Sequence, residues 1–331
     1  MKIKNLTCLF ISLFVVIYSN SCTPPTVSSL PNPMGRVGEM IIVAPEYIWK
    51  SPIGDSIRSY FSEPDMGIRL PAPEPAYSYS YQTKLTGSTQ RFRNIVIINV
   101  DMGFEKTKVE LRTNAHAQNQ LIFNIEAPSA DSALSCIARS KDYIVSRFLT
   151  NDRTATIEDY KRANAKKIVD KLHEKFQVEM IIPHSYSIQV EKDNFIWIGR
   201  EERERNWYIL VWKDPYLRTT QLHPDSLIFR MNAMTRMHVP GPTPGSYMAD
   251  EPMVIPAIKR FEKDGIYTVQ INGLWQTEKS YMGGPYVNHT IVDTQRGQMV
   301  TGIGFVFYPN RDKRQMVRQL EAILYTMIPA E

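Results

Sequence analysis

The residues best suited to chemistry lie in one stretch, Met282-Gly283-Gly284-Pro285-Tyr286-Val287, followed by His289 and Asp293. Adjacent glycines before a proline permit backbone angles that other residues resist, so this stretch predicts a sharp connection between two strands. His289 and Asp293 differ by an even number and would share one face of a regular strand. A carboxylate beside an imidazole can orient a general base. No serine or cysteine nucleophile is fixed by spacing, and Ser280 is the nearby candidate. A glycine turn with a polar strand face explains the same residues without catalysis, so no catalytic residue is assigned.

A second stretch runs from Pro240 to Pro252 and contains Tyr247, Met248, Asp250 and Glu251. A loop this long inside a compact domain is either functional or disordered. Tyr247 and Met248 supply apolar anchors, and Asp250 with Glu251 supplies paired negative charge. Folded over the Gly283-Gly284 turn, the loop would line a groove for a ligand or partner; alternatively it only covers a sheet edge. The expected binding residues are therefore Tyr247, Met248, Asp250, Glu251, Trp275, Met282, Gly283, Gly284, Tyr286, His289 and Asp293.

Other chemistry is thinly supported. The six histidines (His116, His173, His184, His223, His238, His289) are widely and irregularly spaced, so no metal site is expected. There is no Cys-x-x-Cys, His-Glu-x-x-His, phosphate-binding glycine loop or Gly-x-Ser-x-Gly elbow, and no cofactor is expected. Trp197, Trp207, Trp212 and Trp275 could stack on sugar rings, but their strand-forming neighbours favour core packing.

The elements that position these residues begin with an address. Lys2 and Lys4, the apolar run Leu6–Tyr18, and small residues leading to Cys22 read as a signal peptide over 1–21. The apolar run is short of a membrane-spanning helix. Cys22 after a small residue resembles a bacterial lipobox, although Ser19 stands where a large aliphatic residue is usual. Lipidation at Cys22 would tether the chain through a proline-rich stretch, 22–36. The absence of an acidic run after Cys22 tilts the expected location to the periplasmic side of the outer membrane.

The formal charge of +5 falls to +3 without Lys2 and Lys4, too little to imply nucleic-acid binding. Of the three cysteines only Cys136 lies in the folded part, at helical spacing with Ala133, Ile137 and Ser140, and reads as a buried structural thiol. Folding is expected to start near Gly38. Strand-like runs include 39–44, 77–85, 94–101, 108–112 and 120–125, then 178–182, 186–190, 195–198, 207–212, 268–275, 286–293 and 299–308. Helical stripes start at Ser51-Pro52, at Ser129, near Ile157, after His223 and at Met316. The mixed-charge run Arg200–Arg205 reads as a solvated hairpin turn. These give an α+β fold of two similar halves, 37–176 and 177–331, each a mainly antiparallel sheet with helices packed on one face.

Several short motifs carry a family resemblance. Cys22, Gly38-Glu39-Met40-Ile41-Ile42-Val43, Arg93-Asn94-Ile95-Val96-Ile97-Ile98, Pro244-Gly245-Ser246-Tyr247-Met248, Gly273-Leu274-Trp275, Met282-Gly283-Gly284-Pro285-Tyr286 and Gln319-Leu320-Glu321-Ala322-Ile323-Leu324 together resemble the Bacteroidota lipoproteins grouped as domain of unknown function 4837. The resemblance spans nearly the whole mature chain. It implies an envelope location and no mechanism. The expectation is a non-enzymatic binding or assembly module, held at the membrane through Cys22 and meeting an envelope protein or glycan. The alternatives are an envelope hydrolase acting on peptidoglycan or glycan, and a glycan-binding lipoprotein.

Overall fold

The structure is a computed structural model and describes residues 30–331; the signal peptide, Cys22 and the first part of the tether lie outside the described residues. Order begins earlier than Gly38. The Gln118 side chain donates to the Leu30 carbonyl at 2.6 Å, and Met34 exchanges backbone bonds with Arg91 and Arg93 at 2.8 and 2.9 Å. Residues 30–34 of the expected tether are therefore packed on the first half.

The first half contains β1 (Glu39–Val43), α1 (Glu46–Trp49), α2 (Pro52–Phe61), β2 (Ser78–Gln82), β3 (Asn94–Val100), β4 (Lys108–Thr113), β5 (Leu121–Ala127) and α3 (Ala130–Arg162). The sheet order is β2-β1-β3-β5-β4. Antiparallel pairing prevails across the molecule as expected, but here it is confined to β4–β5; β2–β1, β1–β3 and β3–β5 are parallel. The reason lies in β1 and β3, whose near-continuous apolar runs bury both faces, with α1–α2 as the crossover from β1 to β2. Met40, Ile42, Val96, Ile98, Phe123 and Ile125 face the helices, while Ile41, Val43, Ile95 and Ile122 face Leu85, Phe92 and Ala115 on the other side.

Ser51 caps α2 by accepting from the Gly54 N–H, with Pro52 at the first helical position. Ser129 and Ser132 form a capping box at the start of α3. That helix runs unbroken to Arg162, where two helices were expected, because nothing between 149 and 156 breaks it. It stops where the Asn164 side chain and the Ala165 N–H turn to bond the Ile182 backbone at 3.0 and 2.6 Å. Cys136 is buried in its inner face.

The second half takes in α4 (Lys166–Phe176), expected in the first, because its Ile168, Leu172 and Phe176 pack in the core of the larger sheet; it continues with β6 (Val178–Glu179), β7 (Ser187–Lys192), β8 (Phe195–Glu202), β9 (Arg205–Pro215), α5 (Pro224–His238), β10 (Tyr247–Asp250), β11 (Ala257–Lys263), β12 (Ile266–Glu278), β13 (Gly283–Asp293), β14 (Gln298–Phe307), α6 (Arg314–Leu324) and β15 (Ile328–Pro329). Its eight-stranded antiparallel sheet has the order β10-β12-β13-β14-β9-β8-β7, with β11 also on β12, and β15 pairs separately with β6. Helices cover both faces rather than one: α4 and α6 on one side, α5 on the other. Long strands such as β13 and β14 are buried along nearly their whole length, which requires two covering layers. Gly304 lets α6 approach, since a Cβ there would lie 2.7 Å from Leu320 Cβ. Arg200 to Arg205 forms the β8–β9 hairpin, where Glu202 pairs with both arginines. No helix among the described residues is long and apolar enough to cross a membrane.

The halves meet through apolar packing, Ile68, Leu70 and Tyr160 joining the core beneath α6, and through polar contacts. Glu74 accepts from the Lys313 and Arg314 backbone N–H groups at 2.7 and 3.1 Å, so a side chain of the first half caps α6 of the second. Arg314 also donates to the Pro75 carbonyl and to Ser78 Oγ, and Asn272 donates to the Gly67 carbonyl at 2.5 Å.

Candidate functional site

The segment expected as a long structureless loop builds its own structure. Val239 and Met248 are bonded at 3.0 Å, Gly241 N–H reaches Ser246 O at 2.9 Å, and Pro240 bridges to Tyr247. The chain then enters β10, which pairs with the C-terminal end of β12 (Tyr247 opposite Glu278, Asp250 opposite Trp275). In this respect it covers a sheet edge. It also forms the lip of a groove.

The groove has a volume of about 310 Å³. Its floor is the α5 face of the sheet beyond the end of that helix, where alternation puts Trp197, Tyr208, Phe305, Phe307 and Trp275 on one side. Pro240, Pro242, Met248 and Met282 complete the wall, Asn206 and Thr277 are its polar side chains, and no charged residue lines it. Cross-strand register does the assembly: Tyr208 lies opposite Phe305, and Asn206 opposite Phe307. The rings meet at angles rather than in a plane, Trp197 on Tyr208 at 5.4 Å and 78°, Trp275 on Phe305 at 5.5 Å and 76°. Edge-to-face packing of this kind fixes the walls in place.

Hydrogen bonds hold the supports. Tyr286 donates to Asp250 Oδ1 at 2.7 Å, anchoring β10 from behind. Burial raises the Asp250 pKa, with Glu251 adding to the rise and the Tyr286 bond opposing it. The same burial, with Asp250 beside it, pushes the Tyr286 phenol far up. Thr277 exchanges bonds with Met282 at 2.9 and 3.0 Å and closes the turn that presents the Met282 side chain. Trp275 donates its indole N–H to the Val306 carbonyl at 3.2 Å.

Of the expected residues, Met248, Trp275 and Met282 line this groove, and Asp250 and Tyr286 brace it. Gly283 and Gly284 do not form the turn; they begin β13, and the turn lies just before them, with Lys279 at φ 64°. Gly284 is needed for close approach, because a Cβ there would stand 2.2 Å from the Val306 carbonyl and 3.0 Å from the Trp275 indole nitrogen. Tyr247 lies under the Arg236 guanidinium, and Glu251 accepts from the Met253 N–H at 3.1 Å.

His289 and Asp293 do share a face, but it is the opposite one, toward α6. They are four positions apart along the strand, roughly 13 Å. Asp293 instead holds the β13–β14 turn through the Arg296 N–H and side chain, both at 3.1 Å. His289 is 1% exposed, its Nε2 has no partner, and burial lowers its pKa to about 4. No cluster of three or more His, Cys, Asp or Glu suited to a metal occurs among the described residues. Trp197, expected in the core, is a half-buried groove wall, and Trp275 is both a core residue and a wall; Tyr208, Phe305 and Phe307 were not anticipated. Their period-2 alternation was visible, but the register joining β8, β9 and β14 was not.

Residues 164–326 match the family described as Domain of unknown function (DUF4837). The second half is a domain of that family. The family's extent is narrower than the resemblance implied, because residues 33–161 match a separate family, Domain of unknown function (DUF8532). The groove lies wholly within the DUF4837 portion. No curated protein matches the chain. Among solved structures, the Ran-binding protein Mog1p of Saccharomyces cerevisiae is 9% identical with a TM-score of 0.34, over 47% of this chain and 91% of that one. A point mutant of Mog1 gives 10% identity and a TM-score of 0.30, over 47% and 92%. A Bacteroides thetaiotaomicron protein gives 9% and 0.21, over 47% and 46%. These scores are too low to carry any argument about fold or function.

Proposed function

We propose that the protein is a non-enzymatic binding module of the cell envelope, tethered through Cys22, that holds an apolar or aromatic group of an envelope partner in the groove beneath Pro240–Pro242. The observation that carries this reading is a preformed groove walled by five aromatic rings and lacking any charged side chain. Uncharged aromatic walls gain free energy by excluding water from an apolar group and offer nothing to activate a scissile bond. The hydrolase alternative would draw on His289 with Asp293 or on Asp250 with Glu251; the first two are both buried and lie roughly 13 Å apart along β13, and Asp250 is engaged by Tyr286. Glycan stacking is disfavoured because Trp275 is only 4% exposed and stands edge-on to Phe305 at 76°. The envelope location rests on the signal-like sequence before Cys22.

The test replaces Phe307 with a photoreactive phenylalanine analogue in the full-length chain, expressed in its own envelope. A discrete adduct, absent from the same analogue at exposed Tyr47 and lost when Met282→Glu is added, is the expected result. Equal labelling at Phe307 and Tyr47 overturns the reading.

A further inference from the structure

A second site lies between the halves. A cavity of about 230 Å³ is enclosed by α3 on one side and by α6, β11 and β12 on the other, with the 65–76 segment across it. At about 30 Å³ per water it has room for seven or eight waters, or for one small organic acid.

Its charges do not cancel locally. Three carboxylates reach it, and each is already engaged. Asp152 accepts from the Gly38 N–H and the Tyr77 hydroxyl, both at 2.8 Å, and from Asn94 at 3.1 Å. Glu321 accepts from Gln270 at 3.1 Å and Arg318 at 3.3 Å, and Asp65 pairs with Arg318. Two further cations in the lining, Arg153 and Lys259, have no carboxylate within 4.0 Å among the described residues; they rest over the rings of Tyr325 and Phe261. Three lining residues also keep buried unsatisfied atoms: Asn272, 2% exposed, has no donor for Oδ1, Arg314, 7% exposed, has no acceptor for Nε, and Arg318 has none for Nε. Leaving such groups unpaired costs free energy that an occupant would recover.

We propose that this cleft binds a small organic carboxylate that also carries a hydrogen-bond donor, such as a hydroxy acid. The carboxylate answers Arg153, Lys259 and Arg314 Nε; the donor answers Asn272 Oδ1. Because α3 belongs to the first half and β11, β12 and α6 to the second, the bound anion bridges the halves. The site is separate from the aromatic groove, and this inference stands or falls independently of it.

The test is thermal unfolding of the full chain with malate, with succinate and with inorganic phosphate, each at about 10 mM. Malate is expected to raise the melting temperature by about 3 °C, and succinate, which lacks the hydroxyl donor, by less. The shift should disappear in Arg153→Gln and in Lys259→Glu. Lys259 is an exposed rim residue, so Lys259→Glu is expected to fold as the parent does, which far-ultraviolet circular dichroism checks. No shift with malate, or a shift that survives in Lys259→Glu, overturns the proposal. A larger shift with phosphate than with malate overturns the assignment to a carboxylate.

Discussion

The Tyr286 hydroxyl and the Asp250 carboxylate, 2.7 Å apart, fasten the strand that follows the proline-rich lip to the centre of the large sheet. Tyr286 is almost fully buried and Asp250 half-buried, so neither can easily exchange the other for water. Tyr286→Phe removes the donor and leaves the carboxylate facing a ring. The expected cost is about 1–3 kcal/mol in urea unfolding, together with faster amide exchange across β10.

Gly284→Ala tests the close approach beneath the groove. The new methyl would overlap the Val306 carbonyl and press on Trp275. A loss of about 1–3 kcal/mol is expected, with a changed near-ultraviolet tryptophan signal. An unchanged melting curve would show that the strand can shift to admit the methyl group.

Met282→Glu places a charge in the uncharged groove at a half-buried position. Adduct yield at position 307 should fall at least about tenfold, a change of about 1.4 kcal/mol in binding. Far-ultraviolet circular dichroism should stay as in the parent.

Glu74→Ala removes the cap that the first half lends to α6. About 1 kcal/mol of stability should be lost, and Glu74→Gln should recover part of it by keeping an acceptor. A full recovery would mean that the carboxylate's charge at the helix start contributes little.

His289 predicts the acid limb of stability. Burial keeps its imidazole neutral in the folded state down to about pH 4, whereas the unfolded chain takes up a proton near pH 6.5. The stability this group permits is full above pH 6.5 and is lost as pH falls toward 4, by about 3 kcal/mol over that window. His289→Gln should flatten this part of the curve. Asp152, raised chiefly by burial, has the opposite slope, and it cancels when parent and variant are compared.

Local chemistry made much of this molecule legible. The Ser51-Pro52 and Ser129 helix starts, the stripe Met316, Val317, Leu320, Ile323 and Leu324 on α6, and the buried runs of β1 and β3 follow from spacing alone. The pairing partners of those runs do not: parallel and antiparallel neighbours bury the same apolar side chains, so the order β2-β1-β3-β5-β4 had no signature in the sequence. β11 was missed because Lys259, Arg260, Glu262 and Lys263 hide a seven-residue edge strand behind charge. The groove was half visible. Met248, Trp275 and Met282 lie in two unusual segments, whereas Trp197, Tyr208 and Phe307 look like any strand residue until the register places them together. The cleft residues Arg153, Asn272 and Arg314 come from three distant parts of the chain, and only tertiary packing joins them.

The cap from Glu74 to Lys313 spans 239 positions of sequence. Synthesis runs from the first half to the second, so α6, although its apolar face docks on β13 and β14 of its own half, gains its cap only once the earlier half is already shaped. Closing so wide a contact carries a large entropic cost that is repaid only at the end of folding. The seam between the halves is thus the late-formed joint of the protein, and mechanical or thermal stress should open it first, before either sheet yields.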